Sequence, residues 1–244
     1  MDAASKIEEE KLATFSMLRN ADPGELHGID LSHRDLSGLD LSKLDLSSAN
    51  FAHSNLSGSN LSGAMLVDAI FDEANLKEAN ISGAVMRDTR LSHTNMSSCV
   101  AMKVDFQGAQ MQGVNLWGAR AASAVFDGAT MLAAVIMDAD LSGAKFVKSD
   151  LRWVNAQGSN LTDADLSQAH LERANFRNAN LERANLSMSN LKKSVLSNAN
   201  LNSADLSGAL LHGTLMRNAS LVNATVTKDQ LMVAVHPNLV TIVG

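Results

Sequence analysis

Residues 164–188 read ADLSQ AHLER ANFRN ANLER ANLSM. In each of these five groups of five, the first residue is alanine and the third is large and apolar. Followed outward, the spacing holds without insertion or deletion from Leu31 to Val226. Forty positions, five residues apart, are apolar throughout; leucine fills 23 and phenylalanine six. Two places earlier runs a series of small residues, alanine in 23 of 40, and between the two lies Asn or Asp in 23 of 40. The unit is A-(N/D)-L-x-x.

A period of five fits neither the 3.6 of a helix nor the two of a strand. Two inward residues around one polar residue make a very short strand, and the Asn, Asp, Ser and Gly beside it favour turns. One corner per five residues makes a four-sided coil of 20. Coils stacked about 4.8 Å apart bury the leucine and alanine ladders, and about ten of them make a rod roughly 48 Å long. Self-similarity at a fixed short period is the mark of a solenoid.

These units, with ANLKE at 74–78, resemble the pentapeptide-repeat family over residues 29–228. The resemblance implies an all-β solenoid, a right-handed quadrilateral β-helix of about ten four-sided coils with short N- and C-terminal helical caps. The expected division is residues 1–28 as a helical cap, 29–228 as the β-helix, and 229–244 as a cap helix and tail.

A solenoid needs caps because each end exposes an apolar cross-section. Residues 5–20 are expected to be helical, with Ser5 and Glu8 at capping-box spacing, Asp22-Pro23-Gly24 as the stop, and Ile7, Leu12, Phe15 and Leu18 as the buried stripe. Oversized residues in the first small-residue positions (Ile29, Arg34, Leu39, Leu44) are expected to form that helix's socket. Thr227 and Gln230 predict a second helix through about Val235, followed by an apolar tail that either folds over the last coil or forms a dimer contact. The resemblance implies the latter, since some members of the family dimerise through a C-terminal helix.

Composition limits the function classes. Aromatic residues are 4% of 244, tyrosine is absent, and the formal net charge is −6. A nucleic-acid binder normally carries a basic stripe, so no direct nucleic-acid contact is expected. One cysteine, Cys99, excludes an intramolecular disulfide framework. The N-terminus lacks a secretory h-region and no apolar run reaches a membrane span. The expectation is a cytoplasmic protein with no cofactor. Catalytic motifs are missing and a gapless repeat offers no long loops, so an enzyme is not expected.

Position within the period assigns each outward residue to one of four faces. His33, His53, His93, His170 and His212 share a face, but a flat ladder splays ligands that a metal needs converging. Another face holds Asp68, Asp88, Asp105 and Asp127 and sums to −3, while the other three sum to zero. Trp117, Leu132, Ala133, Val135, Met137 and Trp153 are outward and apolar; exposed tryptophan often marks an interaction site. Cys99, Ala101, Ala119 and Ala121 leave both ladders undersized, and stacked Phe106, Phe126 and Phe146 on the adjoining face are expected to fill the space, with Cys99 an inert buried thiol.

The leading expectation is a protein-binding scaffolding or regulatory module that uses the tryptophan patch. The alternative, implied by the resemblance, is a DNA mimic that binds a topoisomerase such as gyrase and protects it from quinolone-type poisons. Duplex DNA carries about one charge per 1.7 Å, roughly 28 over 48 Å. The rod's charge falls far short of that.

Overall fold

The computed structural model describes residues 3–22 and 24–235. Helix α1 (Ala3–Asn20) precedes the repeats and helix α2 (Lys228–Met232) follows them. Between the helices, single-residue parallel bridges join positions 20 apart, from Asp30↔Asn50 to Asp205↔Thr225. Four bends therefore close each coil. We number the faces by their central residues: face 1 (Leu31, Phe51), face 2 (Leu36, Leu56), face 3 (Leu41, Leu61) and face 4 (Leu46, Leu66).

Each corner is a type II turn. The Ala49 N–H donates to the Leu46 carbonyl at 3.1 Å, placing Ser47 and Ser48 at the corner, and φ at Ser48 is 60°. A positive φ at the second corner residue alone defines that turn type. It recurs at every fifth residue from Gly28 to Asn223.

The backbone hydrogen bonds of one repeat close almost completely. Leu31 N–H reaches Asn50 O (2.7 Å), His33 N–H reaches Ala52 O (3.0 Å), and Asn50 N–H reaches Ile29 O (2.8 Å). With the turn bond, four amides of five find carbonyls. The fifth, on the first corner residue, is met by the Asn or Asp two places before it, as when Asn175 Oδ1 accepts from the Arg177 amide at 3.1 Å. That duty explains the Asn/Asp series, because a short side chain acceptor suits a turn amide. Where Arg90, Lys145 and Ser220 replace Asn or Asp, the side chain one coil earlier substitutes. Asp72 accepts from Ser92 (3.0 Å), Asp127 from Val147 (2.8 Å) and Asn202 from Val222 (3.0 Å).

The leucine and alanine ladders form one continuous buried core. Phe51 and Phe71 stack at 4.7 Å between centroids, and Phe106, Phe126 and Phe146 stack at 5.1 and 4.8 Å. Cys99, Ala101 and Ala121 are fully buried. Burial pushes the Cys99 thiol up to about 12, so it stays protonated and unreactive. Hydroxyls in the small-residue ladder donate to carbonyls, as Ser54 does to Phe51 (2.6 Å) and Thr94 does across one coil to Phe71 (2.7 Å).

Two expectations for α1 are corrected. The helix already runs at Ala3, so Ser5 lies inside it and is not a cap. Leu12 is 58% exposed, whereas Thr14 and Leu18 are buried, Phe15 is half-buried, and Lys11 reaches Ser37 Oγ at 3.2 Å. The helical period explains this: positions 11, 14, 15 and 18 share one stripe and position 12 points away. Of the four socket residues, Ile29, Leu39 and Leu44 join the core and Arg34 is exposed. Ile7's side chain and Pro23 lie outside the described residues.

At the other end, Thr227 caps α2 with Gln230 in a reciprocal capping box. The helix ends at Met232 and not near Val235, because the chain returns to the ladder. Val235 bridges Leu215, again 20 residues back. Gln230 Nε2 also donates to the carbonyls of Leu206 (2.7 Å) and Ala209 (3.0 Å), which face the end of the stack. The tail after Val235 lies outside the described residues.

Candidate functional site

Corner geometry decides which outward side chains can act together. The turn from Leu151 to Val154 places Arg152 and Trp153 at the corner between faces 1 and 2. The turn from Leu116 to Ala119 places Trp117 at the corner between faces 2 and 3. The two tryptophans therefore flank face 2 from opposite corners, two coils apart. The floor between them is Asn115, Val135 and Asn155, bridged in register. Leu132 and Ala133 lie at the first corner, Met137 and Asp138 at the second.

Trp117 is 51% exposed and Trp153 is 53% exposed. Leu132, Val135 and Met137 are half-buried and form the lower part of the surface. Both rings are oriented by neighbours. Trp117 Nε1 donates to Asp138 at 3.3 Å, and the Arg173 guanidinium lies 4.3 Å from the Trp153 ring centre. Asn155 Nδ2 lies 3.0 Å from the Met137 sulfur. Trp153 sits at φ 63°, the left-handed region that a bulky side chain rarely occupies. Packing explains how the rings are held, and it leaves about half of each in solvent.

The acidic face is less available than its sequence suggests. Asp68 and Asp88 project from face 4. Asp105 is held by Arg87 at 2.6 Å, and Asp127 accepts the Val147 amide. Met65, Val85 and Val125 interleave with them. The histidine column is a parallel stack: His33 and His53 lie 4.8 Å apart with planes 13° from parallel, and His53 Nδ1 is 3.4 Å from Glu73. Among the described residues no group of three or more His, Cys, Asp or Glu side chains is placed to hold a metal. No described helix is long and apolar enough to cross a membrane.

The axial distribution of charge, which counting by whole faces conceals, escaped the sequence reading. On face 2 the acids Asp35, Glu78 and Asp138, with one outward cation, Lys77, precede residue 140, while only cations, Arg177 and Arg217, follow it. Plotting face against coil number would have found it.

A coil of four type II corners, with two buried ladders and a surface of short side chains, defines a repeat scaffold whose chemistry lies on its sides. The family model for pentapeptide repeats matches overlapping stretches that together span residues 25–228, and the chain belongs to that family. Its members fold as right-handed quadrilateral β-helices. The chain is similar to HetL, a pentapeptide repeat protein involved in heterocyst differentiation regulation from the cyanobacterium Nostoc sp. strain PCC 7120. Identity is 26% and the TM-score 0.58, over 85% of this chain and 95% of HetL. QnrB1, a plasmid-mediated fluoroquinolone resistance protein, matches at 14% identity and a TM-score of 0.38, over 86% of this chain and 90% of QnrB1. Rfr23 from the cyanobacterium Cyanothece 51142 matches at 17% and 0.23, over 63% of this chain and 97% of Rfr23. No curated protein matches the sequence.

Proposed function

We propose that the chain is a non-catalytic regulatory or scaffolding module that docks a partner protein on face 2, between Trp117 and Trp153. The observation that carries this reading is the pair of half-exposed tryptophans, the only two in the chain, flanking one face. Tryptophan anchors dominate many interfaces because one ring buries a large area at little entropic cost. Their fixed orientation lowers the ordering cost further. The likeness to HetL, a protein involved in regulation, supports a regulatory role.

The test places a photo-crosslinking residue at Met137, between the two rings, in the native host. A partner captured there is purified and titrated against wild type and a Trp117→Glu/Trp153→Glu variant. Glu172 and Glu182 occupy the same repeat position as Trp117, and Glu73 and Glu78 the same as Trp153, so the variant folds. Affinity is expected to fall at least tenfold with circular dichroism unchanged. Capture of a topoisomerase from a crosslinker at Asp68 or Asp88, with none from Met137, would move the site to face 4 and favour the DNA-mimic alternative.

A further inference from the structure

Face 2 continues past Trp153 toward the C-terminal end, and its character changes there. The floor becomes Asn175, Val195 and Leu215, bridged in register, with Leu215 exposed. The corner toward face 1 carries Arg173, Lys192 and Lys193, and the corner toward face 3 carries Arg177 and Arg217. All five cations are exposed, and none has a carboxylate within 4 Å among the described residues. From Asn155 to Asn218 the one carboxylate on face 2 and its corners is Glu172, in the same column as Lys192. Glu172 is half-buried; its Oε1 accepts from Asn190 Nδ2 (2.5 Å), while Oε2 lies 4.0 Å from His170 Nδ1 without a hydrogen-bond partner among the described residues.

We propose that this stretch of face 2 binds an acidic, apolar-bearing segment of a partner protein, laid along the rod axis with its far end against the tryptophans. The proposal rests on the docking reading above and adds the partner's chemistry. Charge complementarity is its basis. Arg173 and Lys193 occupy the same corner of adjacent coils, about 4.8 Å apart, where like charges destabilise. Another such corner pairs opposite signs, Asp163 with Arg183 at 2.7 Å, whereas Asp68 and Asp88 on face 4 repeat the like-sign arrangement with acids. A chain of net charge −6 that gathers five exposed cations, against the single carboxylate of Glu172, around a largely apolar floor is built to receive a negative surface.

The floor selects protein over nucleic acid. Val135, Met137, Val195 and Leu215 offer aliphatic contacts that suit Leu, Ile or Phe side chains, and the acidic remainder of the rod repels a long polyanion. From the Trp117 coil to the Arg217 coil is five steps, about 24 Å, the length of roughly seven extended residues or about 16 helical ones.

The probe is a library of random 15-residue peptides, selected on the full chain. The best peptide is then synthesised and titrated by fluorescence anisotropy, with a 30-nucleotide oligo-dT run alongside. The selected peptides are expected to be net negative and to carry Leu, Phe or Trp. Their Kd is expected to rise at least tenfold for Arg177→Glu/Arg217→Glu and with added salt, while Arg177→Lys/Arg217→Lys keeps most of the affinity. Neutral or basic peptides, no enrichment, or indifference to the charge reversal would overturn the proposal. If such peptides still lose affinity in the Trp117→Glu/Trp153→Glu variant, the docking face stands and only its charge assignment falls. If neither variant matters, both fall. Oligo-dT binding more tightly than any peptide, and lost on the same reversal, would replace the protein segment with single-stranded nucleic acid.

Discussion

Gly113 and Trp153 stand at the same corner two coils apart, with φ of 64° and 63°. Every glycine from Gly28 to Gly213 falls in that corner position, and none of its forty places holds Val, Ile or Thr. The reason is steric, since a β-branched side chain collides with its own backbone in the left-handed region. This column marked the corners in the sequence as clearly as the leucines marked the core. At Gly83 an added Cβ meets nothing within 4 Å, so Gly83→Ala is expected to cost about 1 kcal/mol from backbone strain alone. Gly83→Val is expected to cost at least twice that. At Gly113 the added Cβ lies 2.7 Å from His93 Nδ1, so Gly113→Ala must also displace the ring. Urea midpoints should rank Gly83→Ala, Gly113→Ala and Gly83→Val in falling stability. His93→Ala should bring Gly113→Ala back to the level of Gly83→Ala. Equal midpoints for alanine and valine at Gly83 would refute the steric account.

Among the elements, the short strands were legible and the first helix only partly so. Strand positions repeat forty times, so one accidental apolar residue cannot shift their register. Helix α1 has no such redundancy. Leu12 reads as core until Lys11 and Thr14 are seen to lie on the packed stripe, Thr14 by returning its hydroxyl to the Glu10 carbonyl at 2.8 Å. The strand ends carry a pH dependence. Hydrogen bonds from the Ser47 hydroxyl and amide hold Asp45 below its ordinary 3.8, those from Ser207 do the same for Asp205, and the Arg152 side chain does so for Asp150. A carboxylate depressed in the fold adds stability above its unfolded pKa and loses it as pH falls through the folded value. Thermal midpoints should therefore hold level from neutrality to about pH 5 and decline below about pH 4. Asn keeps the acceptor oxygen without the charge, so Asp45→Asn/Asp205→Asn should lower the neutral midpoint by the share those carboxylates supply and flatten the matching part of the decline. An acid limb identical in the variant would assign the loss to other carboxylates.

On the scale of the whole molecule, each coil touches only its neighbours, so stability is a sum of local terms and the ends limit it. The same linear logic explains why the proposed docking surface was half-visible from sequence. Two outward tryptophans break a repeat of short polar side chains and are seen at once, whereas Arg173, Arg177, Lys192, Lys193 and Arg217 look ordinary until coils are stacked. It also makes a prediction for Gln230. Its side chain satisfies the Leu206 and Ala209 carbonyls and, through Oε1, the Thr227 amide at 2.9 Å. Gln230→Ala leaves those groups to water and opens the stack at one end only. The amides that bond across the last coils, such as Thr225 to Ala204 and Ser220 to Ala199, should exchange hydrogen at least tenfold faster. Amides around the Phe106, Phe126 and Phe146 stack should keep their wild-type rates. Acceleration spread evenly along the rod would mean that it unfolds as one cooperative unit. No acceleration anywhere would mean that α2 adds nothing to the end of the stack.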